Sequence, residues 1–284
     1  MINRLAINRK TSLLCMAVLI SPVVQAWDYF STGETTEQQV QMRVGAEFTK
    51  KWNCGVHLHL AEEARFSLYD QETGMSAKRE AVDTTYAPSF NRSYTTLSLS
   101  YTPIEYFKID AGYTLRVLGR KGWDDPNEYL RHRVFFSVSG IYHIDFVKLY
   151  IRERALCDIR TDSVNPDEKN QYNWLLRSRL GSEFSVPGKP VKPYLWVELE
   201  NTLNAPEFQQ KDGRQFISNV RTQAGVKWRV SRLSSLDFYY RFQYGYDRDI
   251  NVNGGYYRGK ELKMRLDEQK SFIHAIGIVY HLDW

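Results

Sequence analysis

The chain has 284 residues, with 38 Lys and Arg against 33 Asp and Glu, for a net charge of +5. That is close to neutral for its length, so bulk electrostatics imply no nucleic-acid partner. Nineteen Tyr, fourteen Phe and seven Trp make a heavy aromatic load, yet no segment after residue 26 approaches the ~18 consecutive apolar residues of a membrane helix.

Residues 1–26 read as a secretory signal peptide. Arg4, Arg9 and Lys10 form a positive start, residues 13–20 are apolar, and Val24-Gln25-Ala26 offers short residues for cleavage before Trp27. The apolar run is too short to span a bilayer stably. Cys15 would suggest a lipoprotein, but Leu14 is bulky where a small residue is required. Cleavage removes three cations and no acid, leaving residues 27–284 with a charge of +2. Cys54 and Cys157 remain, and an exported pair suggests a disulfide. The topology below places them at opposite rims, so both are expected to be unpaired.

The elements follow in chain order. Val40, Met42, Val44, Ala46 and Phe48 share one face of a strand, with Gln41, Arg43 and Glu47 on the other. A tight turn at Asn53-Cys54-Gly55 leads to a strand opened by Val56, Leu58 and Leu60 that runs to about Tyr69, with a bulge expected near Glu62-Glu63. After a polar loop, Leu97, Leu99 and Tyr101 face Phe107, Ile109, Ala111 and Tyr113 across Pro103-Ile104-Glu105. A polar stretch over 119–128 precedes Val134, Phe136 and Val138, which pair with Val147, Leu149 and Ile151 around Tyr142-His143. Another polar loop covers 158–170. Trp174, Leu176, Leu180 and Phe184 then turn through Pro187-Gly188-Lys189-Pro190 into Leu195, Val197 and Leu199. A loop over 206–213 leads to Val220, Ala224, Val226, Trp228 and Val230, which turn at 231–235 into Leu236, Phe238, Tyr240, Phe242 and Tyr244. A polar segment over 247–270, within which 256–266 could hold a further hairpin, precedes the last strand. There Phe272, Ile276, Ile278, Tyr280, Leu282 and Trp284 fall on one parity and the sequence ends on an aromatic residue.

Short turns alternating with long loops are the rhythm of an up-and-down membrane barrel. An aromatic-tipped terminal strand is how outer-membrane barrels present themselves for insertion, so Tyr280, Leu282 and Trp284 are read as an assembly signal for the barrel-assembly machinery. The expectation is an all-β, closed antiparallel transmembrane barrel in the cell outer membrane, in contact with outer-membrane lipid. Eleven strands are counted from Val40 onward. A twelfth at 27–33 would make the number even, as in most bacterial barrels, and return the N-terminus to the periplasm. A lipocalin-like soluble barrel also alternates, with its apolar face inward, and alternation alone does not assign the faces.

In the membrane reading the polar face becomes the lumen. It carries Arg43, Glu47, Lys108, Asp110, Arg116, Arg131, Arg133, Lys148, Arg152, Arg154, Arg177, Arg179, Glu183, Glu198, Glu200, Arg221, Asp237 and Arg241, twelve cations and six acids. Glu63, Arg65 and Lys227 fit the same face. The basic stripe of Arg116, Arg131, Arg133, Arg152, Arg154, Arg177, Arg179 and Arg221, with Glu198 and Glu200, is the candidate pore lining, and a small anionic solute its expected partner. Rings of charge set pore selectivity, but Arg–carboxylate networks also fill and stabilise lumens. One hairpin register sets Arg133 opposite Arg154, which is unfavourable unless an anion lies between them. The next sets Arg179 opposite Glu200, a conventional ion pair. An outer-membrane lipid hydrolase or other barrel enzyme is the alternative, but no Ser-His-Asp arrangement stands out. His57 and His59 share a face without the further ligands of a metal site. There is no Gly-rich phosphate loop and no CxxC. No cofactor or catalytic residue is assigned.

Several stretches together resemble a family of Gram-negative outer-membrane proteins known as domain of unknown function 2490. They are Glu63-Ala64-Arg65, Leu130-Arg131-His132-Arg133, Arg152-Glu153-Arg154, Lys192-Pro193-Tyr194-Leu195-Trp196-Val197-Glu198, Asn219-Val220-Arg221-Thr222-Gln223-Ala224-Gly225 and the terminal strand. The resemblance implies an outer-membrane barrel over nearly all of 27–284 and supplies no activity, substrate or cofactor.

Overall fold

The computed structural model describes residues 31–76, 79–85, 89–119, 130–160, 171–206, 216–252 and 264–284. The parts of the expected loops that fall between these segments, and residues 1–30, lie outside the described residues. Twelve strand segments follow one another: β1 (Ser31–Lys51), β2 (Val56–Ser76), β3 (Arg79–Thr85), β4 (Ser89–Ile104), β5 (Phe107–Leu118) and β6 (Leu130–Ile144). They continue as β7 (Val147–Arg160), β8 (Tyr172–Phe184), β9 (Val191–Thr202), β10 (Phe216–Arg229), β11 (Ser234–Val252) and β12 (Met264–Asp283).

Each strand pairs with the next in antiparallel fashion, except that β3 and β4 share one edge of β2. The upper part of β2 takes β3, Asp70 facing Thr85, and the lower part takes β4, Ser67 facing Ser89. The expected loop after Tyr69 is therefore a hairpin that prolongs the wall. With β3 and β4 in one wall position, twelve segments make an eleven-position barrel. An odd number forces the first and last strands to run the same way, and β1 indeed pairs with β12 in parallel, from Ser31 beside Leu266 to Thr49 beside Asp283. Of the twelfth strand expected at 27–33, Ser31 to Gly33 belong to β1 instead, and 27–30 lie outside the described residues. β1 therefore enters at the long-loop rim, not the turn rim.

The faces settle what alternation left open. Leu97, Leu99, Phe136, Leu195 and Ile276 are each at least 50% exposed, whereas Arg43, Ser137 and Glu198 are at most 2% exposed. Apolar side chains point outward and charged ones inward, the reverse of a soluble barrel. An eleven-position sheet with this inversion is a membrane barrel, since only a closed sheet satisfies all backbone groups in lipid. Glu62 and Glu153 stand on the outward face, and a hydroxyl serves each: Thr95 donates to Glu62, and Ser178 Oγ donates to Glu153 at 2.7 Å.

Turn geometry sets register, and here the structure departs from expectation. β6 and β7 turn at Asp145-Phe146, with Asp145 at φ +48°, a left-handed value Asp tolerates. The hairpin centre lies two residues later than a pairing of Arg133 with Arg154 requires. Each residue of displacement moves a cross-strand partner by two, so Arg133 meets Asp158 and Arg154 meets Ser137. The β8–β9 hairpin is centred one residue earlier than expected, which gives Arg179 to Glu198 and Arg177 to Glu200. The β4–β5 turn is Glu105-Tyr106, after an irregularity between Tyr101 and Ile104. β2 keeps register through Glu62-Glu63 and bulges after Ser67 instead. Cys54 is exposed in the turn after β1 and Cys157 is buried near the far end of β7; both are free.

Trp284 closes the parallel seam. Its N–H donates to Thr49 O at 2.8 Å and its carbonyl accepts from Lys51 N–H at 2.9 Å. Lys50 Nζ sits 3.6 Å from its ring centroid, and Phe48 packs 6.3 Å away. Replacing Trp284 by Ser removes the ring and keeps the backbone bonds. The folded fraction, read as the heat-modifiable band on a gel, should fall; wild-type yield would show that the ring does not matter.

Candidate functional site in the barrel lumen

The inward parity of each strand decides which charges meet. On β7 it presents Arg152, Arg154 and Asp158, on β8 Arg177 and Arg179, on β9 Trp196, Glu198 and Glu200, and on β10 Arg221. Direct opposition across β7–β8 pairs Arg152 with Arg179 and Arg154 with Arg177. Like charges facing each other need a carboxylate between or beside them, and β9 supplies it.

Glu198, 2% exposed, is the centre of the lattice. Its Oε2 accepts from Arg179 Nη2 at 2.6 Å and Arg152 Nη2 at 3.2 Å, and its Oε1 from Arg221 Nη1 at 2.9 Å. Glu200 accepts from Arg177, from Arg221 Nη2 at 3.0 Å and from Asn219 Nδ2 at 2.7 Å. Asp158 does the same one wall away, taking Arg133 and, at 2.7 Å, Arg116 Nη1. Arg154 lies 3.7 Å from Asp110 and has its guanidinium 4.3 Å from the ring of Phe135. Phe135, Leu156 and Leu175 form a small apolar cluster inside the barrel.

All ten residues expected to line the lumen occupy its inward face. Arg116, Arg133, Arg177, Arg179, Glu198, Glu200 and Arg221 line an upper cavity of about 410 Å³. Arg152 lines a lower cavity of about 500 Å³. Arg131 and Arg154 line neither: Arg131 stands opposite Arg116 and Arg160 in the wall, and Arg154 is folded onto Asp110. The lower cavity has a different chemistry, with Lys108, Lys148 and Lys227 around Glu183, Asp110 and Glu47. Lys227 Nζ is 3.2 Å from Glu183, and Glu47 lies 3.4 Å from His281 and 3.6 Å from His59. His59 also meets Thr49 and Ser100 at 3.0 Å each. Among the described residues no His, Cys, Asp or Glu cluster has the make-up of a metal site.

Three residues border both cavities: Arg179, Trp196 and Arg241. Trp196 is 4% exposed, with the Arg179 guanidinium 3.8 Å and the Arg241 guanidinium 5.3 Å from its ring centroid. This cation–π stack, worth about 0.5–2 kcal/mol per contact, marks the division between an Arg-lined upper and a Lys-lined lower chamber. The sequence reading missed two members of this arrangement. The run 158–170 reads as a polar loop, but Asp158 shares parity with Arg152 and Arg154 and lies on the inward face of β7. Trp196 belongs to a motif of the resemblance and not to the expected lining, but Leu195 and Val197 point outward and so turn it inward.

A closed sheet, apolar outside and lined by guanidiniums and carboxylates inside, defines a transmembrane β-barrel with a basic lumen. The chain belongs to the family described as protein of unknown function (DUF2490), whose model matches residues 40–253. It is also similar to a solved structure titled "NanC porin structure in rhombohedral crystal form", with a TM-score of 0.38 and 9% identity, covering 84% of this chain and 97% of that one. No match to a curated protein was found.

Replacing Glu198 by Gln leaves Arg152, Arg179 and Arg221 without a shared counter-charge. Breaking a buried pair by removing one partner costs about 3–5 kcal/mol, and that loss should be read in the urea unfolding of the folded barrel. A loss under about 1 kcal/mol, the range of exposed pairs, would mean that water replaces the carboxylate.

Proposed function

We propose that this barrel resides in the bacterial outer membrane and passes small anions through a narrow, basic lumen. The single observation that carries the reading is the lining of the upper cavity, where nine arginines stand against five acids. An excess of fixed positive charge in a low-dielectric enclosure concentrates anions and excludes cations. The lower cavity continues the basic character with lysines, and the Arg179–Trp196–Arg241 stack lies where the two cavities meet. Most of the guanidiniums are held by carboxylates, so the preference is weak rather than absolute.

The outer-membrane placement is supported by the outward apolar belt and by the alternation of tight turns with long loops. Residues 1–26 act as its export signal. Tyr280, Leu282 and Trp284 then serve as the signal read by the barrel-assembly machinery, and outer-membrane lipid covers the belt.

Planar-bilayer recording of the refolded protein under a salt gradient tests the reading. The expected result is a small steady conductance with a reversal potential shifted toward anions. The variant Arg133→Ser, which removes a guanidinium of the upper lining, should move that potential toward zero while keeping the heat-modifiable band. Unchanged selectivity would make the stripe structural, and silence from folded protein would make the lumen a filled core.

A further inference from the structure

Arg43 departs from the pattern of the lumen. It faces Arg65 directly across the β1–β2 ladder, another like-charge pair. Across the β7–β8 ladder such pairs have carboxylates: Glu198 joins Arg152 to Arg179, while Arg154 and Arg177 reach Asp110 and Glu200. Here the nearby carboxylate, Glu63, is bound to Arg65 Nε at 2.6 Å. Arg43 bonds only to the neutral amide oxygen of Gln41, from Nε at 3.1 Å and Nη2 at 2.9 Å. It is 1% exposed, and its Nη1 has no hydrogen-bond partner.

A second orphan lies beside it. Tyr239, 5% exposed, has a buried hydroxyl with no partner. It reaches across β12 because β12 carries Gly277 and Ala275 there. A Cβ on Gly277 would fall 2.1 Å from the Tyr239 ring, so only glycine leaves the ring its place. Arg241, two residues on, has its guanidinium 5.2 Å from the Tyr239 ring and gives its Nε to the neutral amide of Gln223 at 2.7 Å. The charges that act on Arg43 are Arg65, Arg241 and Glu63. Three guanidiniums thus share one carboxylate around two unsatisfied buried donors.

We propose that Arg43, Arg241 and the Tyr239 hydroxyl hold a small inorganic oxyanion of the sulfate or phosphate class. Water could meet the two orphan donors, but it leaves a surplus of two positive charges buried, and buried charges need counter-charges. An oxyanion supplies both acceptors and charge, and guanidinium forks match its geometry. Cavities flank the cluster on both sides: Arg65 lines the upper cavity, Tyr239 the lower and Arg241 both, while Arg43 lies buried between them. The proposal goes beyond the pore reading and does not depend on it, since a non-conducting barrel would hold the ion equally well.

Calorimetric titration of sulfate, then phosphate, into the folded full chain in detergent at constant ionic strength tests the site. Saturable binding is expected, weakened about tenfold by Tyr239→Phe and by at least about tenfold by Arg43→Gln, as for loss of one charge-assisted hydrogen bond. Lys189→Gln, exposed in the β8–β9 turn away from the cluster, should leave affinity unchanged. Tyr239→Phe keeps the ring and so keeps the test valid if Arg43→Gln does not fold. No saturable binding to the wild type, or equal affinity in wild type and Tyr239→Phe, overturns the site. Binding by electrically silent protein would retain it while removing the pore.

Discussion

Guanidiniums enclosed in a sheet that faces lipid must find their counter-charges inside that sheet, and the rest of this structure follows from how they do so. Glu198 and Glu200 sit on one strand and draw in arginines from β7, β8 and β10. Four adjacent wall positions are therefore tied by side chains as well as by backbone ladders. The lattice also pins register. A one-residue slip would turn a strand's lumen arginines into the bilayer and its outward leucines into the lumen, an exchange costly on both faces. Charge pairing and hydrophobic patterning thus favour the same alignment.

The lattice divides the interior. Above Trp196 the cations are arginines, planar and bound through forks to carboxylates. Below it they include lysines around Glu183 and Asp110. Arginine keeps its charge and geometry in a crowded enclosure, whereas lysine is a flexible point charge. A fixed upper chamber and a softer lower one, separated by a guanidinium–indole stack, form a graded basic path. Barrels of about this size can be filled by their own side chains, and here the stack fills the section between the two chambers.

The faces were legible in the sequence because parity is a local property, readable from Leu195, Trp196, Val197 and Glu198 alone. Every residue expected in the lumen stands on the inward face for that reason. Register was not legible, because it depends on where a turn closes. Asp145-Phe146 carries none of the Gly, Asn or Pro signals that mark turns, and Tyr142-His143 looked no worse. A displacement of two residues there replaced an imagined Arg133–Arg154 repulsion with the Arg133–Asp158 ion pair. Asp158 was hidden by the same habit, a polar residue beside a polar loop being read as part of it. The expected count of about twelve strands is close to the eleven wall positions, and the difference lies where local polarity misled. Residues 34–39 are polar and extended, yet they are paired on both sides within β1. The parallel seam is a property of closure, which no single strand encodes. The Arg43–Tyr239 juxtaposition was out of reach as well, since it needs both that seam and the bare surface of Gly277.

The most direct test of the account is the environment of alternate positions on β9. Spin labels placed singly at Leu195, Val197, Trp196 and Glu198 in the refolded barrel in lipid would be compared for relaxation by oxygen and by a water-soluble nickel chelate. The account predicts oxygen-dominated relaxation at Leu195 and Val197, and weak oxygen access at Trp196 and Glu198. The opposite parity, or four equivalent positions, would contradict a barrel that turns its apolar face to lipid and closes its charges within.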